Sequence, residues 1–413
     1  MRHADGPLSI GLLTWEYPPA SSGLPRAARE VAQALAGAGH DVRVLTLDRD
    51  GRERDGEVEV IGRRVDPASL AGRVRRRAGV GHLVGPHALR SLALRAHRER
   101  PFDVLEATNW FAPGLLVALR GPVPLVTRAS TPATIGKGAR AGVRDRLDGA
   151  FLDRLERRSA RASAGLISNT APHRERIRRF YGLSGDELHE AIAPPVDPDT
   201  LAAGRAASYP EGDDGRVGLL FVGRPDRRKG FDAIADALVE LAGDPRAPAF
   251  TLRLVGTDEA GLPEPLRAGP ARALVEPLGR VDDAAVLAEL ERAHAVLAPS
   301  RSESFGYVYQ EALAFGRPLV CCAEDASARE FVGEPGAGLL APRCTGADVA
   351  RAIRRVAAEP ALRAELRAKA LAAAGRCTRE ACAAATVAVY RRVLADRAGR
   401  SAVRAADAPD ATG

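Results

Sequence analysis

Two stretches of this 413-residue chain carry charged residues at spacings that chemistry can use. The first is Phe221-Val222-Gly223-Arg224-Pro225-Asp226-Arg227-Arg228-Lys229-Gly230, which leads from an apolar strand-like segment into a helical one. An arginine and a lysine five apart at a strand-to-helix junction suit a diphosphate whose charge rises as it leaves, and glycines there let a backbone approach it closely. Lys229 stands out, because only three of the 60 basic residues are lysine, at 137, 229 and 369. A compact, mobile point charge is a different tool from a guanidinium fork. On these residues alone a solvated basic loop fits equally well.

The second stretch is Pro299-Ser300-Arg301-Ser302-Glu303-Ser304-Phe305-Gly306-Tyr307-Val308-Tyr309-Gln310-Glu311-Ala312. Glu303 would sit in a loop after a strand, Ser304-Phe305-Gly306 would present amides at a helix start, and Glu311 would lie about one turn inside that helix. Such amides can hold a phosphate or a sugar hydroxyl, and the two carboxylates can accept hydrogen bonds from a polyol. By themselves the residues favour a blander assignment, with Glu303 as a dipole-stabilised carboxylate at a helix N-terminus and Glu311 on the surface.

The elements that must position these residues alternate along the chain. Short apolar runs at 8–14, 41–47, 102–107, 124–127 and 165–168 are separated by helical stretches at 25–36, 86–98, 143–162 and 172–181. A second series has strands at 217–222, 251–255, 295–298 and 318–321, with helices at 231–241, 283–294, 308–315 and 348–357. This pattern predicts α/β architecture with two doubly wound parallel sheets. Periodicity fades over 193–215, a proline- and glycine-containing linker, and after Glu359 the chain reads as helical to about Arg397, with a disordered tail from 405. The expected domains are 1–196, 197–385, and a C-terminal helix over 386–413 that packs back on the first domain before the tail. Folds of this kind bind ligands outside the carboxyl ends of their strands, so a cleft between the two domains is the expected site.

At this level of detail the residues resemble the retaining nucleotide-sugar glycosyltransferases of the GT-B fold, in glycosyltransferase family 4, group 1. The Glu303-x7-Glu311 spacing after Pro299-Ser300, the Phe305-Gly306 pair and the run Ala312-Leu313-Ala314-Phe315-Gly316-Arg317-Pro318 carry the likeness. So do Phe221-Val222-Gly223-Arg224 with Lys229-Gly230, Leu254-Val255-Gly256, Leu278-Gly279-Arg280-Val281 and, near the amino end, Tyr17-Pro18-Pro19 with Gly23. The similarity runs over roughly residues 8–396. Two positions depart from the family pattern: Leu24 replaces a second glycine, and Ser130 stands where many relatives have a histidine before Thr-Pro.

The resemblance implies two Rossmann-like domains and transfer of a sugar from a nucleoside-diphosphate sugar with retention of anomeric configuration. Arg224 and Lys229 would grip the diphosphate, so no metal and no other cofactor is expected. Glu303 would contact the transferred sugar, Glu311 the ribose, the backbone near Val281 the base, and Gly223, Phe305, Gly306 and Tyr307 the phosphate and sugar. Gly23 would approach the diphosphate from the first domain. No side-chain nucleophile would be needed, and no serine, histidine and aspartate arrangement is evident. The first domain should bind the acceptor through loops after its strands, which supply Trp15, Glu16, Tyr17, Asn109, Trp110, Ser130 and Lys137. Aromatic faces there can stack on a sugar or cyclitol ring, or simply pack beneath a loop.

Composition excludes several classes. The net charge of +7 is spread through an arginine-rich chain with 4% aromatic residues, which leaves few stacking platforms for nucleic acid. Five cysteines at 321, 322, 344, 377 and 382 show no CxxC spacing. No apolar run approaches the roughly 18 residues of a membrane span, and the first is too short for a signal peptide, so a cytoplasmic protein is expected. An oxidoreductase is disfavoured because the first strand is not followed by GxGxxG, and Gly79-Val80-Gly81-His82-Leu83-Val84-Gly85 has the wrong spacing. The expected partners are a nucleotide sugar and a small-molecule sugar, aminocyclitol or glycan acceptor, with no nucleic acid. A lipid-linked or polysaccharide acceptor at the inner membrane surface is the alternative, served by arginines 73, 75, 76, 77, 90, 95 and 98. Further alternatives are an epimerase or a binding protein of the same fold.

Overall fold

A computed structural model describes residues 6–20, 22–75, 79–136, 142–210 and 215–406, with side chains to Gly399. The chain divides into two compact units, the first made of residues 1–195 and 379–413 and the second of 196–378. The return to the first unit begins at Arg379, earlier than the expected 386.

In the first unit the strands are β1 (Ser9–Leu13), β2 (Asp41–Thr46), β3 (Gly51–Asp55), β4 (Val58–Gly62), β5 (Val104–Thr108), β6 (Leu125–Ala129), β7 (Gly165–Ser168) and β8 (His189–Ala191). They form one sheet in the order β3-β4-β2-β1-β5-β6-β7-β8. All neighbours are parallel except the β3–β4 pair. The second unit has β9 (Val217–Val222), β10 (Phe250–Val255), β11 (Val275–Gly279), β12 (Ala295–Leu297), β13 (Leu319–Cys322) and β14 (Gly338–Ala341). These run parallel in the order β11-β10-β9-β12-β13-β14.

The winding direction reverses in each sheet, between β1 and β5 in the first and between β9 and β12 in the second. At such a point two successive connections leave the sheet toward opposite faces, so the loops at the strand ends diverge and leave a crevice. Central strands covered on both faces are continuous apolar runs: Ala295, Val296 and Leu297 of β12 have no exposed surface. The five strands that the sequence pattern does not reveal are β3, β4, β8, β11 and β14, and four of these are sheet edges. Edge strands bury less and carry charges or proline, as in Gly-Arg-Glu-Arg-Asp of β3 and Pro277 of β11.

The expected linker over 193–215 instead carries a helix, Pro198–Ala206, capped by Asp197. It packs so tightly that a Cβ at Gly204 would lie 2.5 Å from the carbonyl oxygen of Ala314. Residues 211–214 lie outside the described part. At the carboxyl end the helix Pro360–Ala373 stops, and a second, Arg379–Ala406, joins the first unit. The tail beyond Ala406 also lies outside the described part. Val387, Tyr390 and Val393 of this last helix enter the first unit's core beside Val126 and Ile167. Arg128 bridges Glu106 at 2.8 Å and donates to Thr386, and the Tyr390 hydroxyl donates to Glu106 at 2.7 Å. All five cysteines are free and buried.

Candidate functional site

The loops after β9 and β12 are fastened to each other. Gly230, at φ 73°, passes so close to Pro299 that a Cβ would lie 2.1 Å from the Pro299 carbonyl oxygen. The Arg301 amide donates to the Arg228 carbonyl at 2.9 Å, and the Arg301 guanidinium clamps Asp232 and the Cys344 carbonyl. The left-handed turn at Gly230 is needed both for this approach and to start the helix Phe231–Ala242.

This fastening brings three charges together. Lys229 Nζ lies 2.7 Å from Glu303 Oε1, Arg228 Nη1 lies 3.0 Å from Oε2, and Ser300 donates to Oε1 at 2.9 Å. Glu303 is buried, which raises a carboxyl's pKa, but Lys229 and then Arg228 outweigh burial and hold it at about 2. The group is therefore a carboxylate at any physiological pH and cannot deliver a proton. Three of its roughly four lone-pair positions are occupied, which leaves about one for a ligand.

Beneath it, buried Asp325 accepts from the Glu303 amide at 2.9 Å and from the Tyr309 hydroxyl at 2.7 Å. Its own pKa is raised, chiefly by burial. Tyr309 lies under Gly306, where a Cβ would meet its ring at 2.4 Å, and Gly306 at φ 85° opens the helix Tyr307–Ala314. Neither Gly230 nor Gly306 supplies a side-chain cap, whereas Asp282 caps the helix Asp283–Arg292 of the same unit. Of the two helix starts, the one at Tyr307 has neither a side-chain cap nor an acidic residue in its first turn, an arrangement suited to an anionic group, whereas the one at Phe231 carries Asp232 there, clamped by Arg301. Glu311 is buried within the second helix, not on the surface. Val281 is partly buried after β11. Gly223 follows β9 beside the Lys229 stem, which a Cβ there would touch at 3.8 Å.

Arg224 is placed differently from Lys229. Its side chain is 65% exposed and its guanidinium lies 3.4 Å from Asp226. The arginine that reaches Glu303 is Arg228, which the sequence reading leaves in the solvated loop. Ser300 and Asp325 are also missed. Asp325 follows β13 in Glu324-Asp325, so attention to acidic residues after every strand would have found it.

In the first unit Trp15, after β1, donates its indole N–H to the Trp110 carbonyl, after β5, at 2.6 Å. Both indoles are half-buried, Phe111 packs edge-on to Trp15, and Arg75 lies 5.6 Å from the Trp15 ring centre. Glu16 is exposed. Tyr17 is 1% exposed, its hydroxyl held by Asp55 at 2.9 Å, so it is part of the core beneath the loop rather than a ligand contact. Ser130 is half-buried and bonded to Asn109. Gly23 is exposed at the first turn of the helix Gly23–Gly37, with open space where a Cβ would be. Lys137, Arg76 and Arg77 lie outside the described residues.

Two wound sheets, parallel but for the β3–β4 pair, with charged loops at the reversal point of the second, define a doubly wound α/β protein of two similar units. Among solved structures the chain is similar to sucrose-phosphate synthase from Thermosynechococcus elongatus, with TM-score 0.73, 21% identity, and 94% of this chain and 100% of that chain covered. It is also similar to the trehalose 6-phosphate synthase of Burkholderia multivorans, at TM-score 0.69 and 16% identity, covering 95% and 100%. These likenesses give the fold, which is GT-B.

Two family descriptions match the sequence, "Glycosyl transferases group 1" at residues 216–359 and "Glycosyl transferase 4-like domain" at 22–190. Among curated proteins, a glycogen synthase of Mycobacterium tuberculosis is 31% identical over 86% of this chain and 87% of its own. A D-inositol 3-phosphate glycosyltransferase of Kineococcus radiotolerans is 34% identical over 73% and 74%. The chain belongs to the group 1 glycosyltransferases, family 4, and is a transferase of carbohydrate biosynthesis. Among the described residues no helix is long and apolar enough to cross a membrane.

Proposed function

We propose that the protein moves a sugar from a nucleoside-diphosphate sugar to a hydroxyl of a small soluble acceptor in the cytoplasm, with retention of configuration and without a metal. The observation that carries this reading is the Lys229–Glu303–Arg228 cluster beside the helix start at Tyr307, whose first turn holds no acidic residue. Lys229, with Arg228 behind it and exposed Arg224 able to swing in, supplies the positive charge that a departing diphosphate requires. As the bond from the sugar's anomeric carbon to the phosphate oxygen breaks, its electron pair leaves with the diphosphate. The acceptor oxygen bonds to that carbon from the same face, and its proton passes to the departing phosphate. Glu303, fixed as a carboxylate, holds Lys229 in place and offers its remaining lone pair to a sugar hydroxyl. A glycosidase acid would need the opposite protonation state. Glu311 would take the ribose, the backbone near Val281 the base, and Gly23 would allow a close backbone approach, since among the described residues none lies within 4 Å of where its Cβ would be.

A specific observation favours a second reading, in which the acceptor is held at a membrane. Leu70, Val80, Val143 and Leu147 are exposed, and Arg73, Arg75, Arg144 and Arg146 beside them in sequence are exposed too. Asp148 ties the two segments together by accepting from the Gly79 amide at 2.7 Å and pairing with His82 at 2.9 Å. An apolar and cationic surface of this kind suits anionic lipid.

Thermal unfolding with UDP, GDP, dTDP and ADP, each in EDTA, tests the donor. Stabilisation by one of them without metal is expected, and stabilisation by none would overturn the reading. Proton NMR of the product with the matching nucleotide sugar then reads the anomeric configuration. Liposome binding that weakens with salt would move the second reading forward.

A further inference from the structure

Behind the half-buried Ser130 lies a chain of hydrogen bonds, and the backbone fixes the direction of its outer links. The Ser130 amide donates to Asn109 Oδ1 at 2.6 Å, so that atom must be the amide oxygen. The Ser130 hydroxyl, 3.0 Å from the same oxygen, can only donate to it. Asn109 Nδ2 then donates to the Ser130 carbonyl at 3.1 Å and to the Tyr181 oxygen at 2.8 Å. Tyr181 in turn donates to Glu156 Oε2 at 2.9 Å. Glu156 also receives the Phe111 amide at 2.9 Å and the Ala133 amide at 3.3 Å. Asn109, Tyr181 and Glu156 are all at least 99% buried, whereas Ser130 is at the accessible end.

The same chain grips the backbone around it. Phe111 and Ala112 adopt left-handed φ values of 57° and 48°, which cost energy for residues other than glycine and persist only where their surroundings hold them. Glu156 holds Phe111 directly, and Phe111 packs on both Trp15 and Trp110. Three loops at the carboxyl ends of β1, β5 and β6 are therefore tied to one buried carboxyl.

We propose that Ser130 selects acceptors by receiving a hydrogen bond, because its own proton is committed inward to Asn109, and that Asn109, held in place by Tyr181 and Glu156, is the positioning residue that enforces this polarity. The oxygen of Ser130 then takes a hydroxyl or ammonium of a polyol or aminocyclitol. It disfavours a group that can only accept, such as an ether oxygen, a fluorine or a carboxylate. The inference rests on the acceptor reading of the first unit given above.

The two tryptophans of the chain are Trp15 and Trp110, so fluorescence excited selectively at tryptophan, away from the tyrosines, reports on this loop cluster. The full-length protein would be titrated with myo-inositol, D-glucose and 2-deoxystreptamine as probes. A saturable response to at least one is expected, about tenfold weaker in Ser130→Ala, retained in Ser130→Thr, and roughly two- to fivefold weaker in Tyr181→Phe, in keeping with the loss of one neutral hydrogen bond. The O-methyl derivatives of the responding probe should bind wild type and Ser130→Ala equally at one ring position. No response to any probe, or equal affinity in Ser130→Ala and wild type, overturns the proposal. Melting temperatures with and without the stabilising nucleoside diphosphate separate the two readings. Ser130-dependent probe binding without nucleotide stabilisation sinks the donor assignment alone, and nucleotide stabilisation without probe binding sinks this one alone.

Discussion

Glu303 of the second unit and Glu156 of the first are both buried carboxyls at the carboxyl ends of a parallel sheet, yet they titrate in opposite directions. Glu303 is held at about 2, Glu156 is pushed up to about 7. Burial raises both. Glu303 has Lys229 and Arg228 within 3.0 Å, whereas Glu156 has two amides and a phenol, with Asp153 adding a further small rise. Full charges reverse a desolvation cost that neutral donors only reduce. One buried glutamate is therefore a permanent anion that arranges cations, and the other is the accepting end of a polar chain close to its own titration point.

Removing a cation should produce the largest effect. Lys229→Ala is expected to lower transfer about a hundred- to a thousandfold, read in steady-state turnover at saturating donor, and turnover within severalfold of wild type would break the contrast at once. Acid unfolding comes next. A folded pKa below the ordinary 4.5 gives Glu303 a stabilising contribution, on the order of 3 kcal/mol, that is complete above 4.5 and lost as pH falls toward 2. Glu303→Gln should flatten that acid limb in urea titrations.

Glu156 carries the opposite sign. Its raised pKa means that stability is greatest below about 4.5 and declines as pH rises through 7, by on the order of 3 kcal/mol before solvent and relaxation reduce it. Glu156→Gln should remove that decline between about pH 4.5 and 7, and an unchanged slope would show that another group causes it. The smallest effect is expected at Tyr17. Tyr17→Phe should cost about 1 kcal/mol of stability through the lost Asp55 bond and leave acceptor KM unchanged. A raised acceptor KM would return Tyr17 to the ligand side.

The same contrast marks what the sequence discloses. Central strands are legible because burial on both faces makes them apolar runs, and Lys229, Glu303 and Gly306 are legible because they follow such strands. The edges β3, β8, β11 and β14 are not, since water on one side removes the pattern. One omission feeds another: Tyr17 reads as a ligand contact because its partner Asp55 belongs to unseen β3. Arg228 cannot be preferred over Arg224 from spacing, because the short turn Arg227–Lys229 decides which side chain points at Glu303. Glu156 sits within Leu155-Glu156-Arg157-Arg158, which reads as a solvated helix face, although Leu152 and Leu155 share its buried side.

The return of the last helix to the first unit sets an order of events during synthesis. Residues 196–378 form an uninterrupted segment that can finish folding as soon as it leaves the ribosome. The first unit, although translated earlier, must wait with Glu106 and Arg128 missing the Tyr390 and Thr386 that complete them. A ribosome that stalls anywhere after Thr378 but before Tyr390 would release a chain whose second unit is whole and whose first unit still lacks part of its interior. Quality control would meet the defect in the half of the molecule that was made first.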